Sequence, residues 1–99
     1  MFMAHVYAKD SLVRVSSEFT VSGTDTDPTT VKCFYKDPNN TVTTLTYGID
    51  QALVKDGTGK YHVDISTTLV GNWWYRFEAT GVVVAANEDE FAVLSSQIV

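Results

Sequence analysis

Two histidines and one cysteine, His5, His62 and Cys33, are the only soft or borderline metal ligands in this sequence. A structural zinc site takes four such ligands at short spacings, and these three stand far apart, so no metal is expected. Hard-cation chemistry has two candidate places, Asp25 with Asp27 and the run Glu88-Asp89-Glu90. Calcium takes six to eight oxygens, and both groups fall in segments that read as loops, where solvated acids are the ordinary finding. Serine and threonine are plentiful, but no Gly-x-Ser-x-Gly turn and no glycine-rich phosphate cradle occurs. Asn39-Asn40-Thr41 fits the acceptor pattern for N-glycosylation and reads most simply as an Asn-rich turn. Cys33 reads as a small buried hydrophobe. The chain therefore offers no catalytic residue, no metal site and no cofactor site, and is expected not to be an enzyme.

Recognition chemistry is better represented. Trp73 and Trp74 are adjacent, and neighbours on a strand point to opposite faces, so one ring is expected in the core and the other outside it. Phe34 stands on the outward parity of its own segment, flanked by Lys32 and Lys36. If those two strands pair, Phe34, Trp74 and Arg76 merge into one aromatic and arginine patch with the lysine stems beside it. Such a composition is enriched at protein interfaces, and these three residues are the expected interface. The bland alternative is that Phe34 and Trp74 are half exposed or covered by the chain's own loops.

The elements that would position this patch are strands. Fourteen valines, 13 threonines and 3 isoleucines supply β-branched side chains suited to a pleated surface. Apolar residues alternate with polar ones over Leu12–Val21, Thr30–Lys36, Lys60–Ser66 and Trp73–Thr80. Further strands are expected at Met1–Ala8, Thr41–Tyr47, Ala52–Val54, Val82–Ala86 and Glu90–Leu94. Turns are expected at residues 23–28, Asp37-Pro-Asn-Asn40, Asp56-Gly-Thr-Gly59, Gly71-Asn72 and Asn87-Glu-Asp89. Ser95–Val99 reads as a loose end. No 3.6-residue period survives anywhere. Seven to nine short strands with frequent turn signals predict an all-β, immunoglobulin-like antiparallel β-sandwich, with a small barrel as the alternative. Residues 1–99 read as one domain, its core built from Val15, Phe19, Val31, Tyr61, Val63, Ile65, Trp73, Tyr75, Phe77, Phe91 and Val93.

A net charge of −5 with no cluster of Lys and Arg argues against nucleic acid as a partner. The longest aliphatic run, Val82–Ala86, is far too short to span a bilayer, so no membrane segment is expected. With one cysteine no internal disulfide can form, which excludes antibody-type domains. The start, interrupted by His5 and without a basic leader, does not read as a secretory signal.

Several motifs recur in an order that carries a family likeness: Asp27-Pro-Thr-Thr-Val31, Lys36-Asp-Pro38, Thr41-Val-Thr-Thr44, Tyr47-Gly48, Asp56-Gly-Thr-Gly-Lys-Tyr-His-Val-Asp64 and Gly71-Asn-Trp-Trp-Tyr-Arg-Phe-Glu-Ala-Thr-Gly81. Over roughly residues 12–93 this set resembles a family of small Ig-like proteins encoded in tailed bacteriophages and prophages. The resemblance implies a non-enzymatic virion structural protein, a decoration or head–tail connector component docking on phage capsid, neck or tail proteins. It also implies assembly in the host bacterial cytoplasm, and a homo-oligomer within the particle is compatible with it. Asn72-Trp73-Trp74 and the ending Ser95–Val99 depart from the family pattern. The rival expectation, from the aromatic face, is a surface- or carbohydrate-binding module in which Trp74 stacks on sugar.

Overall fold

Most segments in which apolar and polar side chains alternate become strand. The computed structural model describes residues 5–98, and these contain ten strand segments: β1 (His5–Ala8), β2 (Leu12–Glu18), β3 (Thr20–Val21), β4 (Thr24–Asp25), β5 (Thr30–Lys36), β6 (Val42–Thr46), β7 (Leu53–Gly57), β8 (Lys60–Ser66), β9 (Gly71–Thr80) and β10 (Ala85–Leu94). The described residues hold no helix, so none that is long and apolar enough to cross a membrane.

Three sheets result: a five-stranded one in the order β1-β10-β9-β5-β6, a three-stranded one in the order β2-β8-β7, and the small β3-β4 ribbon. All neighbours are antiparallel except β1, which runs parallel to β10 with His5 beside Phe91. The two larger sheets share no ladder among the described residues, which favours a sandwich over a barrel. Their facing sides form one core. Val13, Val15, Leu53, Tyr61, Val63 and Ile65 come from the three-stranded sheet, and Val31, Cys33, Leu45, Trp73, Phe77, Ala79, Phe91 and Val93 from the other. The expected core residues are all buried except Tyr75, which is half-buried and packs against the cluster.

Trp73 shows how the interior is filled. Its ring stacks on Phe91 at a centroid distance of 6.0 Å and on Tyr35 at 6.5 Å. Its Nε1 donates to the Leu69 carbonyl at 3.0 Å, so burial leaves no donor unsatisfied.

Several boundaries differ from the sequence reading. The strand expected through Val21 stops at Glu18, where its ladder with β8 reaches Lys60 at the β7–β8 turn; beyond Phe19, Ser22 and Gly23 turn the chain with positive φ and fold β3 onto β4, and Val21 is exposed. The segment at residues 23–28, expected as plain loop, therefore contains β4. Gly71 and Asn72 open β9 instead of breaking the chain. Gly71 is required there because Pro38 lies where a side chain would begin, 2.8 Å from an ideal Cβ. The expected turn at Asn87-Glu88-Asp89 lies inside β10, and the turn falls at residues 81–84, with Val83 buried beneath it. His62 has outward parity yet is buried, its Nδ1 within 2.7 Å of Asp56. Of the first expected strand, Met1–Ala4 lies outside the described residues, as does Val99 of the expected loose end.

Candidate binding face

Register decides which outward side chains meet. On β5 and β9, Phe34 stands opposite Arg76 and Lys36 opposite Trp74. On β10, Glu88 stands opposite Arg76 and Glu90 opposite Trp74; on β6, Thr44 faces Phe34 and Val42 faces Lys36. Trp74 and Phe34 are thus diagonal neighbours, a placement that brings Cα atoms to roughly 7–8 Å and large side chains within reach of each other. The structure brings the three expected site residues, Phe34, Trp74 and Arg76, onto one patch of the outer face.

A shallow groove of about 390 Å³ runs over this patch, lined by Phe34, Lys36, Val42, Trp74, Arg76 and Glu88. Tyr35 and Tyr75 also line it; strand alternation turns their rings to the core, so their main chain forms the floor. Trp74 is 39% exposed, a large apolar ring left open to solvent. Arg76 differs from expectation in one respect. Its Nε donates to Glu78 Oε2 at 2.7 Å and its Nη1 to Glu88 Oε1 at 3.3 Å, so it is clamped on the sheet rather than free to reach a ligand. These two hydrogen bonds, Glu78 first, push the guanidinium pKa above its ordinary value. The sequence does not single out Val42, which has no aromatic neighbour in the chain to mark it, and it marks Glu88 only as an acid of an expected turn, not as part of this face.

The other residues with chemical character are engaged structurally. Asp56 holds His62 by Nδ1, while Asp64 pairs with Arg14 through two hydrogen bonds of 2.9 and 3.1 Å. Ser16 stands opposite His62 in register, but no hydrogen bond joins their side chains among the described residues. Asp25 pairs with Lys60, and Asp27 with Lys55 and the Gly59 amide, so the two acids diverge. Among the described residues no group of three or more His, Cys, Asp or Glu is placed to hold a metal ion. Cys33 is fully buried, and burial pushes its thiol pKa up to about 12. A second cleft, of about 280 Å³, opens where β2 passes β10, and Asn87 Nδ2 donates across it to Ser17 Oγ at 2.6 Å.

No protein-family model matches the chain, and no curated protein matches it either. Among solved structures, a crystal structure named as a "putative glycoside hydrolase" from Bacteroides vulgatus is similar to it. The TM-score is 0.61 at 13% identity, over 95% of this chain and 17% of that one. At that identity the likeness is one of fold, and the chain spans less than a fifth of the protein it matches. These findings correct the expectation of a phage virion component. Nothing found ties the chain to capsid, neck or tail proteins, and the fold likeness is to part of a protein named for action on glycosides.

Proposed function

We propose that this chain is an immunoglobulin-like module that binds carbohydrate on the outer face of its five-stranded sheet and does not itself catalyse. The observation that carries the reading is the diagonal Trp74–Phe34 pair, Trp74 open to solvent and Phe34 half-buried, on a groove edged by polar and charged side chains. A pyranose ring offers a C–H face that packs on an aromatic ring and an edge of hydroxyls that takes hydrogen bonds, and the groove presents both kinds of partner. Strand order supports the immunoglobulin-like part: β5, β9 and β10 lie together in one sheet and β2, β8 and β7 in the other, as C, F, G and B, E, D do in that fold. The likeness to part of a putative glycoside hydrolase is in keeping with a glycan ligand. Glycoside hydrolysis uses two carboxyl groups flanking the scissile bond. Glu78 and Glu88 are both engaged with Arg76 and Glu90 stands singly beside Trp74, so no free pair of carboxyls is left on this face among the described residues, which supports binding without cleavage.

Affinity electrophoresis in gels cast with a panel of soluble polysaccharides tests the reading. At least one polysaccharide should retard the wild-type protein, and Trp74→Ala should weaken that binding by about tenfold, roughly 1.4 kcal/mol, with an unchanged circular-dichroism spectrum. Retardation that Trp74→Ala and Phe34→Ala both leave intact would place the glycan elsewhere, and retardation by no polysaccharide would remove the function.

A further inference from the structure

We infer that the ligand is an acidic polysaccharide whose sugar rings carry carboxylates, bound with those carboxylates on the two lysines that flank Phe34; this rests on the carbohydrate reading above. The pairing of the other cations points to it. The protein has seven Lys and Arg residues against twelve acids. Lys9 pairs with Asp10, Arg14 with Asp64, Lys55 with Asp27, Lys60 with Asp25, and Arg76 with Glu78 and Glu88. The two that remain, Lys32 and Lys36, have no ion-pair partner among the described residues, and both stand on the outward side of β5 with Phe34 between them. In a chain with acids in excess, the unpaired cations are therefore found together, on either side of the half-buried Phe34 ring.

Spacing and surroundings agree. Residues two apart on a strand are separated by about 7 Å, so each lysine is anchored one row from Phe34, within reach of a sugar packed on that ring. On the neighbouring β6 the outward residues are Val42, Thr44 and Thr46, which bring no negative charge. On the other flank, β9 carries Glu78 opposite Lys32, where it is held by Arg76, and β10 carries Glu88 and Glu90 beside Arg76 and Trp74. The cations left without partners thus stand on β5 beside an uncharged β6, while the acids of this face lie on β9 and β10. A neutral glycan would be indifferent to that arrangement, whereas a uronate chain is directed to the Phe34 side, with Trp74 packing against the next ring.

The test compares polygalacturonate and alginate with methyl-esterified pectin, a neutral β-glucan and single-stranded DNA, by affinity electrophoresis and titration calorimetry. Binding to a uronate polymer is expected to weaken at least fivefold in K32Q/K36Q and to fall with ionic strength, since Lys32 is exposed and Lys36 only half-buried. Methyl-esterified pectin and the β-glucan should bind at least fivefold more weakly than the free acid. Equal binding of the esterified or neutral glycan, or an unaffected double lysine variant, overturns the inference and leaves the glycan reading standing. DNA bound as tightly as uronate would show unselective charge attraction and also overturns it. Failure of every polysaccharide removes both.

Discussion

Asp27 ties together two stretches of chain distant in sequence. Its Oδ2 accepts from Lys55 Nζ at 2.7 Å and its Oδ1 from the Gly59 amide at 2.8 Å. Those bonds, Lys55 first and then Gly59, hold its carboxyl below the usual carboxylate range. A carboxyl whose pKa is lower folded than unfolded contributes stability that is fully present above the unfolded value, about 3.9, and is lost as pH falls through the folded value. Asp27→Asn removes that contribution. The variant should therefore melt below wild type at neutral pH, with the gap narrowing as pH drops below about 4. A gap constant from neutral to strongly acid pH in thermal melts would show that Asp27 acts by some other means. Phe77 provides the apolar counterpart, because it is completely buried at the centre of β9. Phe77→Ala should cost about 3–5 kcal/mol in urea unfolding, whereas Trp74→Ala, three residues earlier on the same strand and on its wet side, should cost under about 1 kcal/mol. Equal costs would contradict the assignment of the two faces of β9.

At the scale of elements, the β7–β8 turn is the most constrained junction. Gly59 has φ +73, and an added Cβ would lie 2.5 Å from the Phe19 carbonyl oxygen and 3.0 Å from main-chain atoms of Thr26. All of the close atoms are backbone, so nothing can swing aside. Gly59→Ala should destabilise by about 2 kcal/mol or more. Gly57→Ala, two residues earlier with open space around it and no positive φ, should lie within about 1 kcal/mol of wild type in the same unfolding assay. The reverse order would mean that this turn is looser than its packing implies. Such contacts also explain which elements were legible in the sequence. Period-two alternation marked β5, β8 and most of β9, since it depends only on which face each residue takes. Asn87-Glu88-Asp89 carried turn chemistry but lies in β10, because Asn87 finds Ser17, Glu88 finds Arg76, and β9 supplies a continuous ladder. Gly71 looked like a break for the same reason: the Pro38 ring that requires a glycine comes from a different part of the chain.

For the molecule as a whole, the outward parity of Phe34, Trp74 and Arg76 could be read from each strand separately, but the patch they form depends on the pairing of β5 with β9 and on its register. A one-residue slip would have turned one strand's set into the core. Nor could the sequence alone show that Arg76 is occupied by two glutamates while Lys32 and Lys36 are left over, since every partner but Glu78 lies on another strand or none. Integrity of the two-sheet core can be followed through Cys33, the only cysteine. It is fully buried on β5, facing the other sheet, and its burial-raised pKa of about 12 leaves almost no thiolate at neutral pH. A thiol reagent can reach it only when the sheets separate. Labelling of the native protein with a chromogenic disulfide should therefore be slow, and its rate should rise with urea along the same slope as global unfolding followed by circular dichroism. Trp74→Ala, which leaves the core intact, should label at the wild-type rate, while Phe77→Ala should label faster in proportion to its lost stability. Rapid labelling of the wild type without denaturant would mean that β5 opens locally, and the outer face it shares with Trp74 would then not be a preformed binding surface.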